Sequence, residues 1–196
     1  MTAASHEFGG RLTLVDPAAL TGTARELFGH IQQHVVPWAQ RTGFAATTGD
    51  GRLIGPFNAC LLNPAIAGEF LKLQAAEEKY TSLNERVRQV LILTVGAVWQ
   101  APYELYAHSA VARQAGLEAS DVAALVAGVP PKHLTDAEKI AHRIALALTT
   151  SHHVDDDLYL DAQKTFGAAG VFEITALTGI YHTVCGILNV FAVPAP

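Results

Sequence analysis

WQAPYELYAHSAVARQAG, residues 99–116, carries more information than any other stretch of this chain. Pro102 suits the first turn of a helix, where its missing N–H would have no partner anyway, and Gly116 suits the position just past the helix end. On a wheel turning about 100° per residue, His108 falls about 40° from Glu104. Ala112 and Ala115 lie beside them, and Ser109 and Arg113 fall on the far side. The two titratable groups therefore share the small, apolar face, the one expected to pack inward. An ionisable pair in such a place costs free energy unless it is paired or used, and the alanines around it leave room for a small molecule. The plainer alternative is an i,i+4 pair supporting its helix by roughly 0.2–0.5 kcal/mol. Its location opposite Arg113 argues against that. Glu104 also lies close to the helix N-terminus, where free N–H groups favour an anion.

The flanking sequence reads as helix too. Pro64 opens one to about Tyr80, and Asn84 opens another to Trp99 that is apolar on every side from Val90, marking it as central. Asp16-Pro17 predicts a first helix to about His34, followed by a loop from Pro37 to Pro56 punctuated by Gly43, Gly49, Gly51 and Gly55. A short helix follows Ser120, and Thr135 with Glu138 forms a capping-box pattern before the next. Asp155–Asp157 read as an acidic helix start, and a last helix is expected from about Val171 to Phe191. No run alternates with period two, so the expected class is all-α, in a single domain.

Bulk composition narrows the function classes. Half of the 196 residues are hydrophobic and 16% are charged, which suits a compact, well-buried protein. A net charge of −5 without a Lys/Arg cluster gives no footprint for nucleic acid. Cys60 and Cys185 have no metal or redox spacing and read as buried thiols in a reducing cytosol. The first residues, MTAASHEFGGR, lack a charged segment followed by an apolar run, so no leader is expected. Val90–Val98 is too short to span a bilayer, and Ile174–Val193 carries Thr175, Thr178, His182 and Asn189. The expectation is a cytoplasmic protein with no membrane partner.

Other candidates are weaker. On the last helix His182 shares a stripe with Thr175, Thr178, Gly186 and Asn189, whereas Tyr181 sits among Ile174, Leu177, Val184 and Leu188. A solvated face, or one meeting a partner subunit, competes with a pocket wall there. His152-His153 with Asp155–Asp157 offers metal ligands, but adjacent histidines diverge and a helix cap explains the aspartates, so no metal is expected. Glu138/His142 is a second i,i+4 pair and reads as structural. Asp50–Asn58 is either a turn or a substrate-covering loop in which Arg52 grips a carboxylate.

The helix YELYAHSAVARQAGL (Tyr103–Leu117) resembles the signature of the carboxymuconolactone decarboxylase family, which shares its fold with alkyl hydroperoxidase D. GRLIGPFN with a following NP (Gly51–Pro64), NERVRQVLIL (Asn84–Leu93) and GIYHTVCGILNVFAVP (Gly179–Pro194) are similar to the longer members in the same order. The resemblance covers roughly residues 50–194 and makes the first 50 an extension packed on the core. It implies a homo-oligomer, trimer or hexamer, with sites near subunit boundaries. The two cysteines of the peroxidase branch fall on Ala101 and Glu104, so redox cycling through that pair is excluded. The family's proton-relay glutamate falls on Gln89, which exchanges hydrogen bonds but shuttles no proton at neutral pH.

The resemblance implies decarboxylation of a carboxylated butenolide without a cofactor. The lactone carbonyl accepts the electron pair, and the protein supplies oxyanion donors and a proton to carbon. His108 is then the general acid/base and Glu104 its partner. Trp99, Tyr103, Gln89, Tyr181 and His182 are expected to line the site, and Arg52 to anchor a small unsaturated carboxylic acid or lactone. A catalytically silent binding or accessory protein of the same fold is the alternative.

Overall fold

A computed structural model describes residues 8–196; the first seven, on which part of the leader reading rests, lie outside the described residues. The elements are α1 (Gly22–Thr42), α2 (Pro56–Cys60), α3 (Pro64–Tyr80), α4 (Glu85–Trp99), α5 (Pro102–Gln114), α6 (Ala119–Val126), α7 (Asp136–Thr150) and α8 (Asp156–Val190). Among the described residues there is no strand; an isolated bridge joins Thr47 and Leu53.

Helix α4 occupies the centre because it has no polar face from Val90 to Val95: these residues are buried all round the helix. Its neighbours α5, α6, α7 and α8 pack about it, and α1 and α3 cover one side of α5 and α8. Asn84 caps α4 by accepting the N–H of Val87 at 3.0 Å. Gly96 has α5 hard against it. A Cβ there would lie 3.1 Å from Leu105 Cδ2 and 3.3 Å from Glu104 Cγ, so the small residue sets how closely the two helices approach beside the glutamate.

Four features differ from the sequence expectation. Asp16-Pro17 starts only a 3₁₀ turn, Pro17–Ala19, and the first α-helix begins at Gly22. That helix runs through Pro37 to Thr42, since a proline removes one hydrogen bond while Val36 and Ala39 stay buried on the inner face. Residues Pro56–Cys60 form a helix where the sequence predicts a turn or a covering loop as far as Asn58. The two C-terminal helices are one element, interrupted only at Gly167, whose φ of 70° and ψ of 172° break the helical path. By length and composition α8 could cross a membrane, yet Ile174, Leu177, Val184, Cys185 and Leu188 are packed in the core.

Candidate active site

Glu104 and His108 both project from α5 into the interior, 3% and 7% exposed. They line a cavity of about 670 Å³ bounded by α1, α2, α3, α4, α5 and α8. Gln89 from α4 and Tyr181 from α8 close on the histidine from two other directions. His108 Nδ1 lies 2.8 Å from Gln89 Oε1, and its Nε2 lies 3.3 Å from the Tyr181 hydroxyl and 3.3 Å from Glu104 Oε1. The Tyr181 ring meets the imidazole edge to face at 5.1 Å between centroids.

The hydrogen-bond chain behind Gln89 fixes the tautomer of His108. Gln89 Nε2 is 2.7 Å from Glu85 Oε1, and a carboxylate there only accepts, so the amide NH₂ must point at Glu85. Glu85 is held in turn by Arg88 at 3.0 Å, and Arg88 by Glu77 from α3 at 2.5 Å. The amide oxygen of Gln89 therefore faces His108, and Nδ1 must donate to it. That leaves Nε2 as a lone pair unless the ring is doubly protonated. A lone pair facing an ionised carboxylate at 3.3 Å would be repulsive, so a proton belongs between His108 and Glu104.

Burial decides where that proton resides. It pushes the Glu104 carboxyl up to about 8. Burial, reinforced by the Arg88 guanidinium, pushes His108 down to about 3. At neutral pH the pair is a carboxylic acid beside a neutral imidazole. Burial also keeps Tyr181 and Tyr103 protonated. Tyr103 uses its hydroxyl to donate to the carbonyl of Ala45 at 2.7 Å, tying α5 to the loop after α1.

The cavity brings together Glu104, His108, Gln89, Tyr103 and Tyr181 of the residues nominated from sequence, and three others lie elsewhere. Arg52 pairs with Asp50 at 3.0 Å on its loop and does not line the cavity. Trp99, at the end of α4, packs against His182, 5.9 Å between ring centroids. His182 is turned away from its neighbour Tyr181 by the helical rotation and bonds Thr149 at 2.9 Å. Residues the sequence reading missed are Glu77, Glu85 and Arg88, and the cavity walls Trp38, Phe44, Phe57 and Phe70. The i,i+4 spacing of Glu85 and Gln89 was the available signal.

No protein-family model matches the sequence, and no curated protein matches it significantly. Solved structures do. A peroxidase-related protein from Ralstonia eutropha JMP134 with an alkylhydroperoxidase AhpD core superposes with a TM-score of 0.74 at 16% identity, covering 95% of this chain and 92% of that one. The fold is that of alkyl hydroperoxidase D. A second peroxidase-related protein with this fold, from Silicibacter sp. TM1040, gives 0.70 at 17% identity, covering 95% and 96% of the two chains. The debrominase Bmp8, solved with 2,3,4-tribromopyrrole, gives 0.66 at 16% identity over 88% of each chain. These likenesses establish the fold, which hosts enzymes. Within it this chain has no redox cysteine pair on α5. Cys60 and Cys185 are buried free thiols, and burial pushes Cys60 up to about 11.

Proposed function

We propose that the protein is an acid–base enzyme that moves a proton at carbon on an unsaturated carbonyl compound or lactone, with no cofactor in the cycle. The tautomer imposed on His108 carries this reading, because it presents a basic nitrogen to the cavity beside an uncharged acid. With substrate bound, the Glu104 and Tyr181 O–H groups turn from Nε2 to the carbonyl oxygen. The freed Nε2 takes a proton from the carbon next to the carbonyl, and the electron pair moves onto that oxygen as a dienolate. The Glu104 carboxylic acid and the Tyr181 phenol are the O–H donors for that oxygen. The imidazolium then returns the proton to the distal carbon, which shifts the double bond and restores the site. A buried imidazole is a weak base in the empty site. Proton transfer becomes balanced because imidazolium and dienolate form together at low dielectric.

Decarboxylation of a carboxylated butenolide, a carbon–carbon lyase reaction, ends in the same protonation of a dienolate. There the electron pair comes from the bond to the departing carbon dioxide, and a proton is consumed at carbon. The accessory-protein alternative needs no cavity beside the pair, and the open space there supports the enzyme. Exposed Ile66 and Tyr80 on α3 and Phe172 on α8 support operation as a homo-oligomer.

The test uses α-angelica lactone, a β,γ-unsaturated lactone, in D₂O followed by proton NMR. The wild-type protein is expected to accelerate both deuterium entry at carbon and conversion to the conjugated isomer. His108→Gln should lower that rate by about 10²–10⁴-fold with its helical circular dichroism unchanged. No acceleration by the wild type, or equal acceleration by the variant, overturns the proposal.

A further inference from the structure

The cavity is far larger, and differently charged, from what a small carboxylated lactone requires. Clefts of roughly 300–1,000 Å³ hold drug-sized molecules, and this one, at about 670 Å³, lies mid-range. The space beyond His108 is walled by Trp38 and Phe44 from the α1 end, Phe57 from α2 and Phe70 from α3. Trp38 and Phe44 brace each other edge to face at 5.1 Å. Such walls hold flat apolar groups by area and by ring geometry.

Charge complementarity points the same way. Besides the Glu104/His108 pair, the acidic and basic side chains lining the cavity are Glu77, Glu78, Glu85, Arg41, Arg88, His30 and His34, of which Arg88 is buried and Glu77 half-buried. Arg88, the buried one, already carries a carboxylate on each terminal nitrogen, Glu85 at 3.0 Å and Glu77 at 2.5 Å. The others, Arg41, Glu78, Glu85, His30 and His34, lie exposed at the rim. Arg52, the anchor expected from sequence, is outside the cavity. An organic anion would find the one buried cation of the cavity already neutralised by two carboxylates, with only Arg88 Nε left unpartnered, so its desolvation would go largely uncompensated.

From this geometry we infer that the Trp38–Phe44–Phe57–Phe70 chamber is a specificity subsite for an uncharged substrate carrying an aromatic group. The inference rests on the proposed acid–base reading for the position of the reactive carbonyl. It makes the aromatic chamber, and not a carboxylate anchor, the part of the site that selects the molecule.

Unreactive ligands separate this from catalysis. γ-Valerolactone, γ-phenyl-γ-butyrolactone and its 4-carboxyphenyl analogue differ in turn by an aromatic ring and a charge. Titration of the wild-type protein is followed by Trp38 fluorescence, with Trp38→Phe as the control for Trp99, and by ligand-observed NMR. The phenyl lactone is expected to bind at least about tenfold more tightly than the methyl lactone, and the carboxyphenyl analogue more weakly than the phenyl lactone, by a factor that shrinks with added salt. Phe70→Leu should weaken the phenyl lactone and leave the methyl lactone unchanged. Equal binding of the phenyl and methyl lactones, preference for the anion, or no binding overturns the subsite. If α-angelica lactone is still turned over through His108, only the subsite fails. If the phenyl preference holds without turnover, only the acid–base reading fails.

Discussion

Glu104 and His108 on α5 and Glu138 and His142 on α7 have the same spacing and comparable burial of the glutamate, 3% exposed in both. On α7 the carboxylate is met from outside its helix. Arg86 donates to it at 2.6 Å, and the N–H of Thr135 at 2.8 Å completes the capping box. These bonds outweigh desolvation and hold Glu138 below the usual carboxylate range. On α5 no cation or N–H reaches Glu104, whose Oε1 faces only the lone pair of His108 Nε2, and burial alone sets the carboxyl high. The histidines diverge less. His142 donates from Nδ1 to Thr94, whose hydroxyl is committed to the carbonyl of Val90, while His108 donates to Gln89. An i,i+4 pair is thus a structural brace or a reactive couple according to what neighbouring helices bring to the carboxylate, and its own helix does not decide.

The comparison breaks most visibly when Glu138 is put into the condition of Glu104. Arg86→Ala strands a buried carboxylate and is expected to cost about 3 kcal/mol in urea unfolding; a loss of a few tenths would mean that the cap alone suffices. The next effect is a pH slope. Because Glu104 keeps its proton in the folded state up to about 8 and loses it near 4.5 when unfolded, its burial costs stability as pH rises between those values. His108, depressed on folding, costs stability only below its ordinary value of 6.5, as the unfolded ring takes a proton the folded one refuses. Between pH 6.5 and 8 the wild type should therefore lose about 2 kcal/mol that Glu104→Gln retains. Parallel melting curves for the two across that range would show that Glu104 is ionised when folded. Glu138 has the opposite sign, its stabilisation fading as pH falls below 4.5. The smallest effect sharpens the contrast between the histidines. Gln89→Leu should cost about 1 kcal/mol and release the tautomer, seen as movement of the His108 Nδ1 nitrogen-15 shift from the pyrrole-like toward the pyridine-like range. An unchanged shift would mean that another group fixes the ring.

The helical period and caps made much of this legible. Pro102, Gly116, Asn84 and the Thr135 capping box each mark a boundary that local chemistry dictates, and the inward direction of Glu104 and His108 follows from one helical wheel. Tertiary choices were not legible. Trp99 and His182 look like cavity residues on their own helices, but packing pairs them with each other outside the cavity. Arg52 finds its carboxylate two residues away. The charge of the cavity depends on Glu77 reaching Arg88 across eleven residues and a helix boundary, which no periodicity announces. Pro37 looked like a stop because the lost hydrogen bond is visible in sequence and the compensating burial of Val36 and Ala39 is not.

Gly55 and Tyr103 are bound together in a way that bears on how this chain can change over generations. Gly55 has a φ of 66°, and a Cβ there would fall 2.3 Å from the Tyr103 ring. Gly55 cannot be varied while Tyr103 stays. Shrinking residue 103 opens the space but not the backbone, so alanine at 55 remains strained even then, whereas glycine at 55 accepts any ring at 103 that fits. The order of substitutions is therefore constrained: a lineage altering this wall of the cavity must change residue 103 first, and loses the tether to Ala45 in the same step.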